Sequence, residues 1–129
     1  SFFSGGPARQ GASMSEQTPV LQRLMAVIED RRVHPPERSY TTSLFQGGVE
    51  KIGGKILEEA REVVEAAGEA GPDAHRHLIH EAADLVYHLL VLLAHRDVKL
   101  PEIEAELGRR FGISGLDEKA ARQTQEGQP

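Results

Sequence analysis

Two short acidic motifs set the terms on which this chain can fold. Glu58-Glu59-Ala60-Arg61-Glu62 and Glu81-Ala82-Ala83-Asp84 each stand at the head of an apolar run with helical spacing, Val63-Val64 after the first and Leu85 to Leu93 after the second. Residues three apart on a helix point the same way, with β-carbons about 5–6 Å apart. Glu59 with Glu62 therefore forms one carboxylate pair, and Glu81 with Asp84 forms another. If the two helices pack together, four carboxylates converge on one spot. Like charges at that spacing repel, so the arrangement calls for a cation between them.

Composition narrows the choice of fold and partner. A chain of 129 residues makes one small domain at most. Its leucine, alanine and glutamate content and its scarcity of aromatics favour an all-α fold. The formal charge of −5 argues against a general nucleic-acid binder, which carries a basic footprint. One small anionic ligand held by a few local Lys or Arg residues remains compatible. Cysteine is absent, which excludes disulfides and thiolate metal sites and fits the cytoplasm. The first twenty residues hold no apolar signal core. The run from Leu85 to Ala94 is interrupted by His88 and has about half the length a membrane span needs. The expectation is a soluble, cytoplasmic protein with no membrane partner.

Residues 1–18 are rich in Gly, Ser, Pro and Gln without periodicity and read as a disordered N-terminal segment, with Met14 as the natural start and residues 1–13 as an added remnant. Residues 19–111 read as the folded domain and 112–129 as a polar tail. Thr18-Pro19 reads as N-cap and first position of a helix that ends near Arg31, before His34-Pro35-Pro36. A short helical turn is expected at Ser43–Gln46, then a break at Gly47-Gly48. A second helix runs from about Val49 to Ala67, with Val49, Ile52, Ile56, Ala60, Val63 and Ala67 facing inward and Glu59 on the border of that face. A third runs from about Ala74 to Arg96, with His77, Glu81, Asp84 and His88 as its polar stripe. Its half from Leu85 to Leu93 is apolar nearly all round and must be buried on most sides, so a second subunit is expected to cover it. Pro101 opens a short fourth helix, with Ile103, Leu107 and Phe111 inward.

The acids are all hard oxygen donors, which select Mg²⁺ or Mn²⁺ over zinc or copper. A helical di-iron centre instead wants Glu-x-x-His motifs, and the fourth residues here are Glu62 and Asp84. Glu65 and Glu69 read as a solvated face. Lys51 and Lys55 are either helix-stabilising partners of the glutamates or phosphate contacts at the rim of the metal site. Ser39-Tyr40-Thr41 is either a helix-capping loop or a set of hydroxyls and a ring placed against a nucleotide. His75, His77 and His80 read as solvent-facing, and His88 as a satisfied core histidine.

Glu58-Glu59-x-x-Glu62 followed by Glu81-x-x-Asp84 resembles the metal motif of the MazG-like all-α nucleotide pyrophosphohydrolases. A longer pattern narrows this. Ser39-Tyr40-Thr41-x-x-Leu44, Gly48, Lys51-Ile52, Lys55, the acidic motif and Glu81-Ala82-Ala83-Asp84-Leu85-x-Tyr87-His88-Leu89-Leu90-Val91-Leu92-Leu93 look like the phosphoribosyl-ATP pyrophosphohydrolase family over roughly residues 20–110. The resemblance implies an all-helical homodimer that cleaves phosphoribosyl-ATP to phosphoribosyl-AMP and pyrophosphate with Mg²⁺, the second step of histidine biosynthesis. In many organisms this domain is fused behind a cyclohydrolase with cysteine zinc ligands; that domain is absent here, and a stand-alone enzyme is expected. On this reading Glu59, Glu62, Glu81 and Asp84 bind the metal, and Glu58 orients or deprotonates the attacking water. Lys55 binds the pyrophosphate side, and Lys51, Ser39, Tyr40 and Thr41 complete the substrate contacts. Two rivals remain: a house-cleaning pyrophosphohydrolase of dUTP or damaged nucleoside triphosphates, and a non-catalytic helical dimerisation module.

Overall fold

The computed structural model describes residues 15–111 and 122–123. The N-terminal segment up to residue 14 and nearly all of the expected C-terminal tail lie outside those residues. The described elements are four helices: α1 (Val20–Val33), α2 (Tyr40–Ala67), α3 (Ala74–His95) and α4 (Leu100–Arg109). The all-α expectation holds among the described residues. The chain divides into two compact units after Val98, with α1 to α3 in the first and α4 in the second.

α2 and α3 are the principal pair, and α1 packs against both. Their direction follows from contacts at the two ends. Glu69, just past the end of α2, bonds to His77 in the first turns of α3, while Phe45 near the start of α2 stacks on His95 at the end of α3. The two helices are antiparallel. Met25 and Ile28 of α1, Leu44, Ile52 and Ala66 of α2, and Tyr87, Leu90, Val91 and Ala94 of α3 form the core. Arg32 braces α1 to the end of α3 by donating to the Ala94 carbonyl at 2.6 Å.

Several boundaries differ from the sequence reading. Pro19 is the N-cap of α1 and Val20 its first residue, one position later than expected, and the helix runs on to Val33 before the Pro35-Pro36 pair. α2 begins at Tyr40, capped by Ser39, whose Oγ accepts from the Thr42 N–H at 3.2 Å. The glycine pair does not end it. Gly48 (φ 68°, ψ −160°) puts a kink between two helical stretches, a backbone geometry that costs an L-residue. Gly47 is required by space, because a β-carbon there falls 2.5 Å from the Lys51 Cβ. The predicted break is thus a bend, and the turn expected at Ser43–Gln46 belongs to a longer first stretch.

In α4, Glu102 accepts from the Lys99 N–H at 2.8 Å, and Glu106 pairs with Arg109. Leu107 and Phe111 are exposed rather than inward, because one short helix cannot bury its own apolar stripe. α3 shows a parallel effect. Tyr87, His88, Leu90, Val91 and Ala94 are buried, yet Val86 and Leu89 stay 38% and 44% exposed. By length and composition α3 could cross a membrane. Against that, Glu81 and Asp84 lie in the middle of the helix, where a bilayer penalises charge.

Candidate active site

The acids meet where the middle of α2 faces the first half of α3. Carboxylate oxygens of Glu59, Glu62 and Glu81 lie within 4.8 Å of one another. Asp84 joins through a second group with the same spacing, formed with Glu81 and His80; His80 Nε2 is 3.5 Å from Asp84 Oδ2. Glu81 is common to both groups. Glu58 is in neither: it is exposed and pairs with Lys55 Nζ at 3.4 Å on the outer side of α2.

Glu59 is not a border residue. It is 6% exposed and lies in line with Ile52 and Ala66, the other buried residues of this part of α2. Positions seven apart are two turns apart and share a face, so Glu59 occupies the centre of an otherwise apolar line. Burial first, then the charges of Asp84 and Glu62, raise its pKa from 4.5 to about 7. Glu59 Oε2 and Glu81 Oε2 are both buried without a hydrogen-bond partner. A buried carboxylate oxygen left unpaired is expensive, and a hard divalent cation relieves both the orphaned oxygens and the mutual repulsion. Glu59, Glu62, Glu81 and Asp84 therefore fit a Mg²⁺ or Mn²⁺ site in donor type, spacing and electrostatics.

Beside this cluster Tyr40, Thr41, Tyr87 and His88 are hydrogen-bonded to one another or to backbone, while Thr42 Oγ1 is buried without a partner. His88 is buried; its Nδ1 donates to the Asp84 carbonyl at 2.8 Å, since a carbonyl only accepts. Burial keeps its pKa low, so the ring is neutral and Nε2 accepts from the Tyr40 hydroxyl at 2.8 Å. Burial likewise keeps the Tyr40 phenol protonated. Glu59 Oε1 is 3.9 Å from Nδ1, beyond hydrogen-bond range, and against a neutral ring it makes no ion pair. One residue along each helix, the Thr41 and Tyr87 hydroxyls hydrogen-bond in the core.

This placement reassigns part of the sequence reading. Ser39 and Thr41 are buried, Ser39 Oγ accepting from the Thr42 N–H as a helix cap and Thr41 Oγ1 bonded to the Tyr87 hydroxyl. Tyr40 is half-buried beside the acids, Lys55 is partly exposed at the rim, and Lys51 is exposed. His88 is a satisfied core histidine, as read. His77 is not simply solvent-facing: Nδ1 meets Glu69 Oε1 at 2.8 Å and Nε2 meets Glu81 Oε1 at 3.2 Å. Sequence spacing held the signal, because His77–Glu81 and Asp84–His88 are both four-residue pairs on the polar stripe of α3.

Comparison with known proteins agrees with the geometry. Residues 21–111 match the family model described as phosphoribosyl-ATP pyrophosphohydrolase. A protein of Rhodopirellula baltica named phosphoribosyl-ATP pyrophosphatase is 51% identical over 109 residues, covering 84% of this chain and 91% of that one. Proteins of the same name from Trichlorobacter lovleyi and Geobacter sulfurreducens are 50% and 47% identical over 109 residues, covering 84% of this chain and 98% of theirs. With the match spanning α1 to α4 and every acid of the cluster, the chain belongs to the phosphoribosyl-ATP pyrophosphohydrolase family.

Proposed function

We propose that this chain hydrolyses phosphoribosyl-ATP to phosphoribosyl-AMP and pyrophosphate, the second step of histidine biosynthesis, in the cytoplasm and with Mg²⁺. The observation that carries the reading is the Glu59–Glu62–Glu81 cluster with its two orphaned buried oxygens. A divalent cation bound there supplies charge neutralisation for phosphate oxygens and a more acidic water. The chain's own part is to hold the acids close together and partly desolvated, which disfavours their ionisation until a cation offsets the repulsion. Glu58, outside the ligand groups and wet, is free to orient or deprotonate the attacking water. Lys55 and Lys51 offer cations to the leaving pyrophosphate, and Tyr40 offers its ring. Ser39 and Thr41 act at one remove by fixing the start of α2.

Incubating the protein with phosphoribosyl-ATP or with dUTP, with and without Mg²⁺, and following pyrophosphate release tests this directly. Release from phosphoribosyl-ATP that needs the metal supports the reading; release from dUTP alone turns it to the house-cleaning alternative.

The exposed apolar side chains favour a homodimer. Val86 and Leu89 of α3 and Leu57 and Val64 of α2, the last two 74% and 72% exposed, are left uncovered by one chain. Covering them with a second copy removes that surface from water. Sedimentation should give a dimer at micromolar concentration, and Leu89→Asp should dissociate or unfold it. A folded wild-type monomer under those conditions counts against the dimer.

A further inference from the structure

Glu81 is held from outside the cluster by a hydrogen-bonded histidine, where Asp84 has the longer His80 Nε2 approach of 3.5 Å. Its Oε1 accepts from His77 Nε2 at 3.2 Å, and His77 Nδ1 donates to Glu69 Oε1 at 2.8 Å. A carboxylate oxygen only accepts, so both ring nitrogens donate along this chain of bonds. The two bonds start from different places. His77 and Glu81 are one turn apart on α3, whereas Glu69 lies beyond the end of α2, past its Gly68 cap. The ring is thus anchored from outside its own helix. With Oε1 held, Glu81 keeps Oε2 buried and unpartnered, in a residue within 4.8 Å of the carboxylates of Glu59 and Glu62.

We propose that Glu69 and His77 are positioning residues, a two-part strut that fixes the Glu81 side chain so that its second oxygen is presented to the cation. The proposal rests on the cation reading above. A free glutamate side chain has several rotamers, and ordering it on binding costs affinity; a residue already held avoids that loss. Partners that orient a metal ligand in this way typically contribute about 10–100-fold to affinity. A pair of ordinary surface ion contacts, which the half-exposed His77 could also be, changes stability slightly and cation affinity not at all.

The two are separated by titrating Mn²⁺ into the metal-free, full-length protein without substrate, following free Mn²⁺ by electron paramagnetic resonance. His77→Leu should weaken binding about 10-fold or more while helical circular dichroism and the melting temperature stay close to wild type. Glu69→Gln should weaken it less, and the double variant should be no worse than His77→Leu, because both act through one chain of bonds. His77→Gln, which keeps an N–H donor on that side, should recover part of the loss. Wild-type affinity in His77→Leu overturns the strut and leaves the carboxylate site standing. Independent, additive losses in the double variant overturn it as well. Wild-type protein that takes up no Mn²⁺ removes the cation reading, and the strut with it.

Discussion

Two polar regions lie side by side on the α2–α3 pair and could hardly be treated more differently. At the Tyr40–Thr41 end, the side chains that meet across the helices are paired, Tyr40 to His88, His88 to the Asp84 carbonyl and Thr41 to Tyr87, and one neutral hydroxyl beside them, Thr42 Oγ1, is buried without a partner. A few turns along α2, Glu59 and Glu81 bury oxygens with none. A satisfied network rigidifies a core; a frustrated one stores repulsion that a ligand can relieve. The difference separates scaffold from site. Mutations in the first should cost stability and spare cation binding, and mutations in the second should do the reverse.

The largest expected effect is on the frustrated side. Glu62→Gln or Asp84→Asn should lower turnover by at least about 100-fold, more than loss of a ligand's supporting partner does. Helical circular dichroism should stay intact, and the metal-free melting temperature should hold or rise, since each removes a repelling charge. Wild-type turnover in either variant would break the assignment.

On the satisfied side, Thr41→Val removes the buried Thr41–Tyr87 hydrogen bond and should cost about 0.5–1.5 kcal/mol by chemical denaturation. Removing both hydroxyls, Thr41→Val with Tyr87→Phe, should cost less than the sum of the two single changes. Mn²⁺ affinity should stay within a few-fold of wild type throughout. Joint loss of stability and affinity would erase the distinction between the two regions.

A third effect depends on pH. Glu59 titrates near 7 in the folded, metal-free protein against 4.5 when unfolded. Between those values the folded state binds the proton more tightly, so stability falls as pH rises and the contribution is gone above about pH 7. Thermal melts in EDTA should decline from pH 5 to 8, and Glu59→Gln should flatten that decline. An unchanged slope in the variant assigns the pH dependence to another group.

The smallest effect belongs to the exposed Lys55–Glu58 pair. Glu58→Gln should alter stability by about 0–1 kcal/mol or less. If Glu58 serves the attacking water, the same change lowers kcat with Mn²⁺ affinity preserved; equal kcat places that role elsewhere.

Much of this molecule was legible before any coordinates. Helix existence, the Ser39 side of the capping alternative, the polar stripe of α3 and the pairing of acids three apart on each helix are local matters, carried by period, caps and spacing within a few residues. Other features join residues far apart in sequence, and no local pattern encodes them. Thr41 meets Tyr87 across 46 positions and Tyr40 meets His88 across 48, contacts between helices that the sequence pattern does not show. Helical periodicity put Glu59 at the edge of the inward face, but which line of α2 is buried depends on how α3 lies against it. The kink at Gly48 likewise follows from packing, since glycine permits a break or a bend alike. Spacing determined which side chains could act together on one helix; only the pairing of α2 with α3 decided which of them were left buried and unsatisfied, because desolvation is a property of the packed interface and not of the residue.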